Sequence, residues 1–319
     1  GEAGAAFQCP LVVKVKEIQE CEFAFLKAGT CIFAYHQLAA TAPLLRAVLA
    51  RGVTCIGYET VEDARGELCL LSPMSRIAGC LAPQIAAWIL AKGTFSGRAE
   101  TLEGAGILLS SVSGLPAAKV VILGAGQVGG EAARIASALG CEVVVFARTP
   151  RRFDALRAQG RSSIRTALLS ETTLAAELVD ATVLIGAVLE RGRLSPRVVT
   201  RAMLRSMREG AAFVDVGIDQ GGIAETSRPT SHDQPLYREE GVLHYCVPNI
   251  PALVSRTATL ALTTATLPYI AAIADRGLYG AAAADPGLAL GIQVHDHVVV
   301  DARLAAETGH DSVVPPWRD

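Results

Sequence analysis

"KVVILGAGQVGGEAARIASALGCEVVVFART", residues 119–149, decides the fold. It opens on a continuous apolar run, passes through an alanine-rich amphipathic stretch, and ends on a second run rich in valine. That order predicts a strand, a crossover helix and a parallel strand. Between the first strand and the helix stands Gly124-Ala125-Gly126-Gln127-Val128-Gly129, a GxGxxG sequence. The spacing alone is a weak signal; at a strand–turn–helix junction it is the fingerprint of a dinucleotide-binding unit. Gly124 permits the tight turn, Gly126 lets a pyrophosphate approach the backbone, and Gly129 lets helix and strand pack closely. The free N–H groups at the start of the helix, at Gln127 and Val128, then face the phosphates.

The end of the second strand sets which nucleotide fits. An Asp or Glu there holds the two ribose hydroxyls of NAD. Here the strand ends Phe146-Ala147-Arg148-Thr149, with Arg151 and Arg152 behind. An arginine at this place pairs with a 2′-phosphate, which a carboxylate would repel, and Thr149 adds a hydroxyl donor. Ala147, Arg148, Thr149 and Arg152 therefore predict NADP(H) in preference to NAD(H). The alternative is a solvated basic helix start that touches no ligand.

The remaining chain fits around this unit. Its 319 residues suffice for two domains, and 51% hydrophobic residues with 19% charged argue for large packed cores. A net charge of -2 and 5% aromatics give no footprint for nucleic acid. The eight cysteines form no CxxC pair, which fits buried thiols in a reducing cytoplasm better than a disulfide framework. The longest apolar run, from Thr257, holds many threonines and a proline, and is read as a buried helix rather than a membrane span.

Two βα series can be read, so the expected fold class is α/β with two Rossmann-like domains built on parallel sheets. The first comprises strand "LVVKVKE", a helix near 18–27, strand "TCIFAYHQ", a helix near 42–51 and strand "TCIGYETV". A long helix near 76–92 and a Gly/Ser-rich loop with a hairpin lead to the second series. That series continues with helices near 150–159, 173–178 and 199–207 and strands "ATVLIGAV", "AAFVDVG" and "VLHYCVPN".

Ligands of open parallel sheets bind beyond the carboxyl ends of strands. There the first series places Lys14 and Lys16, on one strand face by alternation, then His36-Gln37 and Glu59-Thr60. The second series places Asp219 and Asn249 where a nicotinamide and its substrate should meet; the alternative for Asp219 is a turn former. "HDH" at 295–297 is read as a surface strand, and no metal site is expected.

"LVVKVKE", "YETVED", "LLSPMSRIAG", "VVILGAGQVG", "IGAVL", "FVDVGIDQGGIAETSRPTSHDQPLY", "LHYCVPNIP" and "RTATLALTTATLPY" together resemble alanine dehydrogenases and the NAD-binding part of proton-translocating transhydrogenases. The resemblance runs from about residue 9 to 310. It implies two Rossmann-like domains, a discontinuous substrate domain over 1–72 and 257–319 and a dinucleotide domain over 73–256, with substrate in the cleft between. It implies a small amino, imino or oxo acid as substrate and a homo-oligomer. Lys16 matches the lysine that contacts substrate, and Asp219 the active-site aspartate. Ser75, Val188, Leu189 and Asn249 match residues around the cofactor; Met74, Arg76 and Asn249 are placed against the substrate.

Departures bear on the chemistry. The family's catalytic histidine directly precedes "LAA"; here Gln37 holds that place and His36 comes one earlier. One step along a strand reverses the face, and Gln is no acid. With strand register kept, Gln37 points to the cleft and His36 into the domain; a bulge would return His36 to the cleft as a proton carrier. "PMSR" replaces "PMSE", which puts Arg76 at a helix start. The family's opening βα unit, with a substrate-binding arginine, has no counterpart in this sequence, so an N-terminally incomplete first domain is expected. The reading is an NADP(H)-dependent oxidoreductase of this family. A specialised imine reductase and a cofactor-binding regulatory or partner subunit without catalysis are the alternatives.

Overall fold

The computed structural model describes residues 3–92, 95–96, 101–154, 156, 164–188 and 195–314. Along the chain run α1 (Ala3–Ala6), β1 (Leu11–Val13), β2 (Cys31–Ala34), α2 (Ala42–Arg51), β3 (Thr54–Gly57) and α3 (Ser72–Leu90). The short hairpin β4 (Phe95–Ser96) and β5 (Thr101–Leu102) precedes β6 (Lys119–Leu123), α4 (Gln127–Ala138), β7 (Glu142–Ala147) and β8 (Ile164–Leu168). Then come α5 (Glu171–Leu178), β9 (Val183–Gly186), α6 (Arg201–Ser206), β10 (Ala212–Asp215), β11 (Leu236–Glu239) and β12 (Val242–Tyr245). The chain closes with α7 (Ser255–Ala284), α8 (Pro286–Gly291), β13 (Ile292–His295), β14 (Val298–Val299) and α9 (Ala302–Thr308). These elements form two units, Gly1–Met74 with Thr259–Asp319, and Ser75–Ala258.

The second unit is built on a seven-stranded sheet of order β11-β12-β10-β9-β6-β7-β8. All neighbours are parallel except β11, which runs against β12. β6 and β7 lie inside the sheet, which explains why they read as unbroken apolar runs. Val120 and Ile122 enter one hydrophobic cluster, Val121 and Leu123 the other, as strand alternation requires. The chain moves outward from β6 through β7 to β8, then returns to place β9 on the other side of β6. The glycine loop thus leaves the sheet at its switch point, where such folds hold their ligands.

The first unit carries a five-stranded sheet of order β1-β2-β3-β13-β14. β1, β2 and β3 are parallel, with Val12 against Ile32 and Ile32 against Cys55. Helix α2 begins with a proline in its first turn and ends on Gly52 at φ 64, the left-handed stop that glycine allows.

Both sheets carry antiparallel strands beside their parallel ones. β13 runs antiparallel to β3, and β14 to β13. Two of the antiparallel pairs are tight hairpins. Glu240 (φ 53) and Gly241 (φ 80) join β11 to β12, and Asp296 (φ 41) and His297 (φ 71) join β13 to β14. Two-residue connections with both φ values positive suit antiparallel strands. "HDH" is therefore a turn more than a strand: only its first residue, His295, belongs to β13.

Other helices differ from expectation. The segment near 18–27 is a 3-10 turn, Glu20–Phe25, and 150–153 is likewise a 3-10 turn, Pro150–Phe153. Helix α7 is not buried. It offers its unit one stripe that includes Leu262, Thr266 and Ile273, while Leu260 and Leu267 stand more than 60% exposed. The stretch Ile250–Ala284 is long and apolar enough to cross a membrane by length and composition alone. Pro268 interrupts its hydrogen-bond ladder, and Gly277, at φ 68, kinks it.

Candidate active site

The three loop glycines answer three different demands. Gly124 sits at φ 112, and a Cβ there would lie 2.3 Å from the Ala187 carbonyl oxygen. A Cβ on Gly129 would lie 1.8 Å from the oxygen of Gly124, so only glycine lets α4 start this close to β6. Gly126, the N-cap of α4, has nothing within 4 Å of a Cβ: its face is open. The first turn of α4 contains no acidic residue. An open backbone face followed by the positive end of a helix fits a pyrophosphate.

β7 ends at Ala147, which is buried, and the chain leaves it through exposed Arg148 and Thr149. Thr149 is the N-cap of the 3-10 turn whose exposed Arg151 and Arg152 follow. Three exposed arginines and a hydroxyl thus follow directly after the second strand.

The loop after β10 is organised by a residue whose role the sequence did not reveal. Asp215 is fully buried; one carboxylate oxygen accepts from Gly217 N at 3.1 Å, the other from Ile223 N at 2.9 Å and Ser227 Oγ at 2.6 Å. Burial pushes this carboxyl up from its ordinary range, while the Ser227 hydroxyl and the two amides oppose the push. Gly222 (φ 76) passes so close that a Cβ would come 2.7 Å from Asp215 Oδ2. This hub fixes both ends of the segment that presents Asp219. Asp219 is exposed on a 3-10 turn, Val216–Gln220, and its Oδ2 lies 3.5 Å from the amide of Asn249. Asn249 takes a left-handed conformation, φ 56. Val188 is half-buried and its carbonyl accepts from Ser195 Oγ at 3.3 Å; Leu189 lies outside the described residues.

In the first unit, β1 stops at Val13, although backbone bonds continue through Lys14 N to Phe33 O and Tyr35 N to Val15 O. Lys14 pairs with Glu22, and Lys16 sits in a bend beyond the strand, so alternation does not put the two on one face. Lys16 is half-buried and forms no hydrogen bond or ion pair among the described residues. Met74 packs against a hydrophobic cluster with Tyr35 and Tyr269.

β2 likewise ends early, at Ala34, so the face argument for His36 and Gln37 does not apply. His36 is fully buried, its Nε2 3.0 Å from the Ile32 carbonyl. Burial lowers its pKa, opposed by Glu59, and the ring is neutral at pH 7. Gln37 is exposed at φ 49, an irregularity that neither glycine nor proline announces. One oxygen of Glu59 holds the turn, accepting from His36 N at 3.2 Å and Gln37 N at 3.0 Å. Among the described residues no three His, Cys, Asp or Glu side chains are grouped to hold a metal.

Residues 1–78 match the family model described as alanine dehydrogenase/PNT, N-terminal domain, and residues 91–302 the corresponding C-terminal domain. The alanine dehydrogenase of Halomonas elongata is 44% identical over 303 residues, covering 95% of this chain and 80% of that protein. That of Mycobacterium tuberculosis is 40% identical over 299 residues, covering 94% and 78%. A solved L-alanine dehydrogenase superposes with a TM-score of 0.86 at 39% identity, covering 97% of this chain and 83% of that one. The transhydrogenase from Sinorhizobium meliloti shares the fold, with a TM-score of 0.73 at 22% identity and 95% and 82% of the two chains covered.

Proposed function

Because the chain belongs to the alanine dehydrogenase/PNT family, an oxidoreductase family that binds NAD(P), we propose that it is an amino-acid dehydrogenase specialised for NADP(H). The observation that carries the cofactor assignment is the end of β7: buried Ala147 where an acid would hold ribose hydroxyls, then exposed Arg148 and Thr149, with Arg151 and Arg152 beside them. The open face of Gly126 and the start of α4 at Gln127 and Val128 receive the pyrophosphate, and the family resemblance assigns Ser75, Val188 and Asn249 to the nicotinamide end. When bound, the dinucleotide gives or takes the hydride at the α-carbon of a small amino, imino or oxo acid. NAD(H) is the weaker alternative.

Protein groups supply the rest. Lys16, a cation without a partner among the described residues, holds the substrate carboxylate or carbonyl. Asp219 orients water, ammonia or the amine. Gln37 donates a hydrogen bond to the substrate oxygen, and neutral His36 supports the turn that carries it. The family's oligomeric habit and a cytoplasmic location belong to the same proposal.

One observation favours a second reading, imine reduction. Gln37 cannot deliver a proton, and His36 is enclosed. Hydride addition to an already protonated imine yields the neutral amine without a proton donor, whereas expelling water from an oxo acid and ammonia needs proton transfers. A preformed cyclic imino acid turned over faster than an oxo acid with ammonia selects this reading.

Arg148→Ala tests the cofactor assignment. An arginine–phosphate contact contributes about 1.5–3 kcal/mol, a tenfold to hundredfold effect on affinity. NADPH binding should weaken by that factor in a fluorescence titration while NADH binding stays unchanged. Equal loss for both would exclude the 2′-phosphate as the partner of Arg148.

A further inference from the structure

Arg76 is exposed in the first turns of α3, and its Nε donates to Gln127 Oε1 at 3.4 Å. Gln127 is the first residue of α4, directly after Gly126. The two helices are pressed together here. A Cβ on Gly79 would lie 2.4 Å from the Val128 carbonyl oxygen. One residue on, Arg134 bridges Cys80 Sγ at 3.3 Å and Glu131 Oε2 at 2.6 Å. Both residues belong to the second unit, so this packing keeps the Arg76 guanidinium at the mouth of the glycine loop.

That position is electrostatically awkward for a cation on its own. A helix N-terminus carries roughly half a positive charge, and like charge beside it is unfavourable. The first turn of α4 has no acid to compensate, and its cap is a glycine without a side chain. An anion bound at the loop makes the same arrangement favourable, because both positive groups then act on it.

We infer that Arg76 is a cofactor-binding residue of this chain, contacting the pyrophosphate of the dinucleotide rather than the substrate carboxylate. The inference rests on the reading of the glycine loop as the dinucleotide site, and not on the preference for NADP(H). Arg76 adds affinity that does not depend on the 2′-phosphate, so it serves NADH, NADPH and ADP alike.

The test is a calorimetric titration of the full chain, parent and Arg76→Gln, with ADP, NADH and NADPH. Arg76→Gln keeps a hydrogen-bonding side chain beside Gln127 but removes the charge. All three affinities should fall by about tenfold, and by more in Arg76→Glu, with Arg76→Lys recovering most of the loss. The thermal midpoint without ligand should not fall, since the side chain is exposed and its charge stands beside a helix N-terminus. Unchanged ADP and NADH affinity would overturn the inference, as would a loss confined to NADPH. So would a raised KM for the oxo or imino acid with cofactor affinity intact. A parent chain that binds none of the three nucleotides would overturn the inference and the glycine-loop reading together. A parent that binds NADH and NADPH equally, yet loses both in Arg76→Gln, would sink only the NADP(H) preference.

Discussion

Asp215 shows how a single buried carboxyl group can order a loop. Three donors converge on it, and two of them lie eight and twelve residues on in the chain, at Ile223 and Ser227. Asp215→Ala leaves buried donors unmatched and should cost about 3 kcal/mol or more, read as a lower urea midpoint. Turnover should fall further than stability alone explains, because Asp219 loses its support. Buried histidines set the acid limit. His244 bonds Thr226 Oγ1 at 2.8 Å and the Val242 carbonyl at 2.9 Å, and burial holds its pKa down from 6.5 to about 4. The unfolded chain takes up the proton first as pH falls. Stability from this group is therefore complete above about pH 6.5 and is lost progressively down to about pH 4. His36, lowered for the same reason, adds in the same direction. His244→Phe should shrink the difference in unfolding free energy between pH 7 and pH 5; an unchanged difference would refute the assignment. At this scale the sequence was legible where a residue answers to its neighbours, as the loop glycines do. It was not legible for Asp215 or His36, whose roles depend on groups the fold brings together.

The strand–loop–helix formed by β6 and α4 gives the sharpest contrast between folding and binding. Gly129→Ala forces a Cβ into the carbonyl of Gly124 and should destabilise the second unit. Gly126→Ala meets nothing within 4 Å and sits at φ -85, a conformation alanine accepts. It should fold with an unchanged thermal midpoint yet lose NADPH and NADH binding together, because the methyl group occupies the phosphate's approach. Equal melting and equal binding would show that the open face is not the phosphate site. These elements were readable because periodicity and glycine spacing are local. β11 was not read as a strand: "LYRE" alternates only once and is recruited by its turn with β12. The exposure of α7 was also hidden, since composition reports how apolar a helix is and not how many sides meet the chain.

For the molecule as a whole, two α/β units on mixed sheets and the family assignment agree with the reading of the motifs. The antiparallel strands within those sheets were harder to read, because the hairpin turns Glu240-Gly241 and Asp296-His297 carry no Asn-Gly or Asp-Gly signal. The side chains that carry the proposed chemistry are few: Ala147-Arg148-Thr149, Arg76 and Gln37. We propose that these side chains serve an enzyme of NADP(H). The most direct measurement is steady-state nucleotide oxidation by the purified chain, with NADPH and NADH compared at equal concentration across small oxo acids with ammonia and preformed imino acids. Substrate-dependent oxidation is expected, with kcat/KM for NADPH at least about tenfold above that for NADH. Turnover with NADH as fast as with NADPH, or faster, would contradict it.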